Sequence, residues 1–498
     1  MKTMNPVQQS YFNRNKWVYS LGGIGRDLAY SLYTYFLLTF ILYTKGVTPA
    51  QFATISVIMV ICRIWDGIND PIMGGIIENT RSKFGKFKPW IFIGAITNAI
   101  VLVLIFTLPL KGNAFVVAFA FLYLIWDITY TMNDIGYWGM LPSLTSEPRE
   151  RDSITSMANL FAGFGTVLAN GLIPVLTVGD KAIGNSAVIG YRVIAIVIGL
   201  VFIGCQTSVC IGVKEKPVAA ESSEKIGFKK MMQIIFNNKQ VLWTSLILLF
   251  VNLSGALLTA FGTNYIYLSY GYQGSYATIF VVFYAVASAL SFVIYPMMAK
   301  KFTRNQIIRM SFIATIIGYI CFFLSGTFIG DPKLSFIILC VEALFIGLGY
   351  SLFYLIAAIL LSNTIEYNEY MTGERNEALI FSVRPFMAKL SSSLQQVIIM
   401  VVYLAIGLTE ITNKISEAEN LAMSNADVWT TTYKENYIAG VLSGASSGMT
   451  LALRIVMAVL PVVFMAIGYY VNMKKYIIDE EKYDEILTEL KKRNSEEK

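Results

Sequence analysis

From Trp17 almost to the C-terminus, apolar runs of about 20 residues or more follow one another with only short polar breaks. A helix of that length rises about 30 Å, the thickness of a bilayer's hydrocarbon core, and satisfies its backbone N–H and C=O groups internally. One water-soluble core could not absorb so many segments of this kind. The composition agrees, since 55% of the 498 residues are apolar and 14% are charged, where a soluble domain carries about a quarter charged. Apolar length predicts an all-α membrane protein with twelve transmembrane helices, at 17–44, 49–77, 89–110, 114–142, 154–178, 187–213, 241–270, 275–299, 307–330, 334–365, 378–409 and 448–473. Met1 to Lys16 is polar, and the first apolar stretch continues without a small-residue cleavage site, so the first span is expected to stay attached.

The distribution of basic residues sets the expected orientation. With the N-terminus inside, 27 of the 39 Lys and Arg fall in cytoplasmic segments, six in the opposite loops and six within spans. That bias places both termini in the cytoplasm of a plasma-membrane protein. The net charge of +7 is therefore topological, and no nucleic-acid partner is expected. The longest polar break on the cytoplasmic side, Lys214 to Gln240 with its KEKPVAAESSEK stretch, divides the chain. An N-terminal six-helix bundle (1–213), a cytoplasmic linker (214–240), a C-terminal six-helix bundle (241–474) and a cytoplasmic tail (475–498) result. Such a 6+6 layout is a transporter layout. A second polar stretch, Glu410 to Tyr437, lies outside between the last two spans. The tail, with Ile477, Ile478, Tyr483, Ile486, Leu487 and Leu490 at near-helical spacing, reads as a short surface helix without chemistry.

Several chemistries are excluded at this level. The five cysteines, Cys62, Cys205, Cys210, Cys321 and Cys340, lie in apolar spans without metal-ligand spacing, and the chain has no histidine. Zinc sites and Ser/His or Cys/His catalysis are out, so no enzyme and no cofactor are expected.

Charges inside spans are costly, at least about 2.5–3.5 kcal/mol each at mid-bilayer, and each needs a partner or a water-filled cavity. The first six spans carry Asp27, Asp66, Asp70, Asp127 and Asp134, whereas the last six carry Glu342 among acids and Arg384, Lys389 and Arg454 among bases. In IWDGINDP, Asp66 and Asp70 are four apart and share a helix face, with Asn69 beside them. In YTMNDIGYW, Tyr130, Asp134 and Trp138 share a face, with Thr131 one turn before Asp134. Two carboxylates on one face in low dielectric repel, so either one is protonated or a cation lies between them; the alternative is that the acids of these spans only pair with Arg63 and Arg26 and hold helices together. Trp138 beside Asp134 suits a sugar, the ring stacking on the indole while the carboxylate accepts hydroxyls; an amine would fit by cation–π contact. Tyr354 is a further aromatic with both a packing and a binding reading. Counting residues from the outer ends of spans 2 and 4 brings Arg63 level with Asp127, about 20 Å in, and predicts an intramembrane ion pair between them.

Three runs carry a resemblance: RIWDGINDPIMGGIIENTRSKFGKFKPWIFIG (63–94), YTMNDIGYWGMLPSLTSEPRERD (130–152) and NTIEYNEYMTGERNEALIFSV (363–383). They are similar to the glycoside-pentoside-hexuronide:cation symporters of the major facilitator superfamily. The resemblance implies two six-helix bundles that import a sugar or glycoside by alternating access, with Na⁺, Li⁺ or H⁺ as coupling cation. It implies a cation site on Asp66, Asn69, Asp70, Thr131 and Asp134, and a sugar site on Asp27, Tyr130, Asp134, Trp138 and Lys389. Asn159 and Tyr354 stand where the family's melibiose-transporting type member has an arginine and a tryptophan, which argues against a galactoside of that kind. The expected partners are the sugar or glycoside, a monovalent cation and the lipid bilayer. The alternatives are the same fold carrying a lipid-like, zwitterionic or organic-cation solute, and a non-transporting membrane sensor.

Overall fold

The helices begin and end on residues suited to stop or start them. Thr48 caps the helix that follows through a reciprocal pair with Gln51, with Pro49 next in line, and Thr303 does the same with Gln306. Asp331 accepts the backbone N–H of Lys333 to open the longest helix, which closes on Gly373 at φ +76°, a left-handed conformation that glycine adopts without strain. The computed structural model describes residues 6–145, 147–214, 232–233, 236–374, 376–444 and 447–496. Most of the predicted linker, including KEKPVAAESSEK beyond its first lysine, lies outside the described residues, as does Arg375.

In chain order the helices are α1 (Pro6–Ser31), a π-helical turn (Leu32–Phe36), α2 (Leu37–Thr44), α3 (Pro49–Asn79), α4 (Lys88–Thr107), α5 (Gly112–Gly139), α6 (Pro148–Thr177) and α7 (Ala187–Gly212). There follow α8 (Lys239–Tyr270), α9 (Gly274–Met298), α10 (Arg304–Phe328), α11 (Pro332–Thr372), α12 (Glu377–Phe381) and α13 (Val383–Ala405). The chain ends with α14 (Leu408–Ser424), α15 (Thr431–Ser443), α16 (Ser447–Lys475) and α17 (Glu480–Glu496). No strand is present among the described residues. Among the described residues eleven helices are long and apolar enough to cross a membrane, and their bounds follow the apolar runs. The predicted first span is α1, the π turn and α2 together. The predicted eleventh is broken at Ser382, and the tenth continues as helix to Thr372 through the polar run NTIEYNEYM.

The chain forms two compact units. One comprises Met1–Ser223, Gly271–Thr278 and Tyr403–Ala445. The other comprises Glu224–Tyr270, Ile279–Val402 and Ser446–Lys498. In the first, α1 packs on α6 and α7, and α4 and α5 pack together. Its α7 buries Ile194, Ile198 and Phe202 while Val197 and Leu200 stay exposed. An outward apolar stripe of this kind is stable against lipid tails. In the second unit α8 packs on α16 and α11 on α10, around Val251, Phe353, Ile356, Leu360 and Met465.

Two stretches that read as polar in sequence are built into these units. The predicted outside stretch, 410–437, folds as the hairpin α14–α15 on the first unit, with Ile415 and Ala418 buried. Its Glu419 and Lys434 are both fully buried and paired at 3.4 Å. Glu419 also accepts the backbone N–H of Ala187 at 2.6 Å, and Lys434 donates to the carbonyl of Asn185 at 2.8 Å. Burial pushes the Glu419 carboxyl above its usual range, against the pull of Lys434. Nearby, burial first of all, with Arg192 and Lys111, brings the Lys45 ammonium down to about 8. The tail folds as α17 in the second unit and packs Ile478, Ile486 and Leu490 against Tyr367 and Tyr370 of α11.

Candidate functional site

The intramembrane acids of the first unit are carried by α1, α3 and α5. Close helix packing fixes α1 and α5: a Cβ at Gly25 would come within 2.9 Å of the Phe202 backbone, and one at Gly94 within 2.7 Å of the Asn133 nitrogen. Tyr19 of α1 and Tyr137 of α5 bind each other reciprocally. Each hydroxyl donates to the other's carbonyl, at 2.7 and 2.8 Å, with the rings stacked 4.3 Å apart. From α4, Asn98 donates to the carbonyl of Trp126 and Asn133 of α5 donates back to that of Ile91. The register of α5, and with it the height of Thr131 and Asp134, is thus set by buried polar bonds.

Within this frame Arg26 joins the two acids of the expected sugar site. Its guanidinium donates to Asp27 at 2.7 Å and to Asp134 at 3.0 Å, and its side chain is 6% exposed. The same guanidinium lies 4.8 Å from the Trp138 ring centre and 5.0 Å from that of Tyr137. A planar fork shared by two carboxylates and stacked on an indole holds all three groups in one geometry. Tyr130 stacks on Trp126 at 4.8 Å and on Tyr30 at 5.2 Å. The π turn leads Tyr33 onto the other part of this aromatic column, 3.3 Å from Trp126.

The second constellation is made by α3 and α5. The Thr131 hydroxyl lies 3.2 Å from Asp66 and 3.5 Å from Asp70, so the two carboxylates of IWDGINDP converge on one hydroxyl. Asn69 is buried between them in sequence, and its amide nitrogen has no hydrogen-bond partner among the described residues. Among the described residues no three His, Cys, Asp or Glu are grouped as for a metal ion. Arg63 and Asp127 lie within electrostatic reach of each other, together with Tyr33 and Tyr123. In the second unit, the Tyr354 hydroxyl accepts from Arg384 at 3.1 and 3.2 Å, and Lys389 is on α13.

Arg26 and Arg384 are the polar groups that sequence reasoning left without a binding role. Both were visible as bases inside spans.

Residues 18–480 match the family model described as MFS/sugar transport protein. The chain belongs to this family. The expectation of a glycoside-pentoside-hexuronide:cation symporter of the major facilitator superfamily is met at the level of family. The chain is 28% identical to a lactose permease of Lactobacillus delbrueckii subsp. bulgaricus over 95% of its own length and 71% of that protein's. It is 24% identical to a raffinose carrier protein of Pediococcus pentosaceus, over 96% and 72% of the two chains. Among solved structures it is similar to a bacterial homologue of the human lysosomal transporter Spinster, with a TM-score of 0.60 at 14% identity, covering 96% of this chain and all of that one. The fold is that of the major facilitator superfamily, and this member of the MFS/sugar transport protein family is a multi-pass membrane protein.

Proposed function

We propose that the protein is a secondary active symporter that imports a sugar or glycoside with a cation by alternating access. The observation that carries this reading is the Arg26 fork on Asp27 and Asp134, set against Trp138. Two carboxylates held at fixed spacing accept a sugar's hydroxyls, while an indole offers an apolar face to the ring. The lactose and raffinose carriers among its relatives support the same substrate class. Tyr130 completes the wall, and Tyr354 and Lys389 are the candidate sugar contacts of the second unit. The protein works in the plasma membrane with both termini cytoplasmic, performs no covalent chemistry and has no nucleic-acid partner.

The cation, Na⁺, Li⁺ or H⁺, is held by Asp66, Asn69, Asp70 and Thr131, with Asp134 as the residue that faces both ligands. Hard oxygen donors suit such ions. A cation on the paired acids removes their repulsion and steadies α3 against α5, so cation and sugar tighten each other reciprocally. Arg63 and Asp127 form an ion pair that keeps α3 and α5 in register. Removing one partner by Arg63→Gln or Asp127→Asn is expected to cost about 3–5 kcal/mol of stability, and removing both much less. Thermal unfolding of the three variants checks this; a double variant as damaged as the sum of the singles means that the two do not interact.

The reading is tested by a thermal-shift screen of the purified protein against lactose, raffinose and other sugars, with and without Na⁺. A ligand of the native state raises its melting temperature by mass action. Asp27→Ala and Trp138→Ala are each expected to raise the Kd of the best ligand, the first by about 10- to 150-fold for a lost charge-assisted hydrogen bond of about 1.5–3 kcal/mol. Unchanged affinity in both variants rejects this sugar site.

A further inference from the structure

Within the apolar runs of the second half the one acid is Glu342, on α11, and nothing in the transport reading uses it. Its residue is 4% exposed. One carboxyl oxygen, Oε2, accepts the Ser325 hydroxyl of α10 at 3.2 Å, while Oε1 is buried with no hydrogen-bond partner among the described residues. We propose that Glu342, with Ser325, holds a proton at neutral pH and forms a proton site in the second unit, separate from the carboxylates of α3 and α5.

Among the described residues Glu342 has no ion pair. The titratable and charged groups on the described helices packed against this part of α11 include Tyr265 and Tyr270 of α8, Tyr276 and Tyr284 of α9, Tyr319 and Cys321 of α10, Cys340 of α11 itself and Arg454 of α16. Arg454 directs its fork elsewhere, with Nε donating to Tyr265 at 3.1 Å and a terminal nitrogen donating to Thr327 at 3.2 Å. The Tyr270 hydroxyl is engaged with Ser335 at 2.9 Å. An ionised carboxylate here would keep one oxygen bare in an apolar helix seam with no partner cation. Burying a lone charge costs far more than burying a neutral hydroxyl that lacks an acceptor. A proton from water therefore adds to Oε1, forming an O–H bond, and Oε2 becomes the carbonyl oxygen that receives the Ser325 hydroxyl. Both the transporter reading and the assignment of the coupling cation can fail without affecting this site, which stands on the second unit alone.

The test is infrared difference spectroscopy on the purified full-length protein, wild type against Glu342→Gln, at neutral pH in H₂O and in D₂O. The wild type is expected to show one protonated-carboxyl C=O band that the variant lacks, that moves to lower frequency in D₂O and that saturating NaCl leaves in place. Ser325→Ala, which keeps the acid, is expected to move the same band to higher frequency, because the carbonyl loses its donor. If no such band is lost in Glu342→Gln, the residue is ionised and the proposal falls. If NaCl removes the band, the site is not separate from the cation cluster. If Ser325→Ala leaves the band unmoved, Ser325 is no part of the site.

Discussion

Lys434→Met is expected to destabilise the protein by about 3–5 kcal/mol in thermal or denaturant unfolding. Lys434 and Glu419 are fully buried at 3.4 Å, so removing the ammonium leaves a carboxylate with no cation in a place water does not reach. The variant also deprives the carbonyl of Asn185 of its 2.8 Å donor at the start of α7. Glu419→Gln alone keeps an oxygen for the Ala187 N–H, but strands the Lys434 charge. The double variant Glu419→Gln/Lys434→Met removes both charges and keeps that backbone bond, so its loss should fall well below the sum of the singles. Equal sums would show that the pair contributes nothing beyond two independent side chains. Part of the hairpin's attachment survives in every variant. Asn420 donates to the carbonyl of Thr44 at 2.9 Å and Asn413 to that of Val47 at 3.0 Å, so the hairpin loosens at the α7 end first.

Arg26→Gln should abolish most high-affinity sugar binding. The guanidinium holds two carboxylates in place at once, and misplacing them so that the sugar loses one charge-assisted hydrogen bond of about 1.5–3 kcal/mol raises Kd about 10- to 150-fold. Its removal also leaves Asp27 and Asp134 in mutual repulsion next to Trp138. Arg26→Lys keeps the charge without the planar fork and is expected to recover only part of the affinity. Titration of the sugar-induced rise in melting temperature, at saturating cation, separates these cases. Wild-type affinity in Arg26→Gln would mean that the fork is a structural tie and no part of recognition.

What could be read from sequence divides along physical lines. A bilayer leaves few choices: a run of about 20 apolar residues must be a helix. Helices such as α7, predicted at 187–213 and found at Ala187–Gly212, follow from length alone. The hairpin was hidden because its composition is polar, although Leu408, Ile411, Ile415, Ala418 and Ala422 recur at helical spacing and are all buried. The π turn at Leu32–Phe36 has no compositional mark; it accompanies the ring stack of Tyr33 on Trp126, a tertiary contact that local sequence does not encode. The pairing of Asp66 and Asp70 was legible, since residues four apart share a helix face, and Thr131 does reach both. That Arg26 could pair with the intramembrane acids was legible, but which of them it serves was not, because consecutive residues diverge on a helix; the arginine is long enough to turn back to Asp27 while reaching Asp134 on α5.

The central claim is that uphill sugar movement is driven by a cation held on Asp66 and Asp70. Accumulation of the labelled sugar that the screen identifies, in proteoliposomes under an imposed inward Na⁺ or H⁺ gradient, is the test. The wild-type protein is expected to concentrate the sugar above equilibrium only while the gradient lasts, and Asp70→Asn to exchange labelled for unlabelled sugar without concentrating it. Accumulation by Asp70→Asn at the wild-type rate and extent would contradict the account and move the coupling site elsewhere.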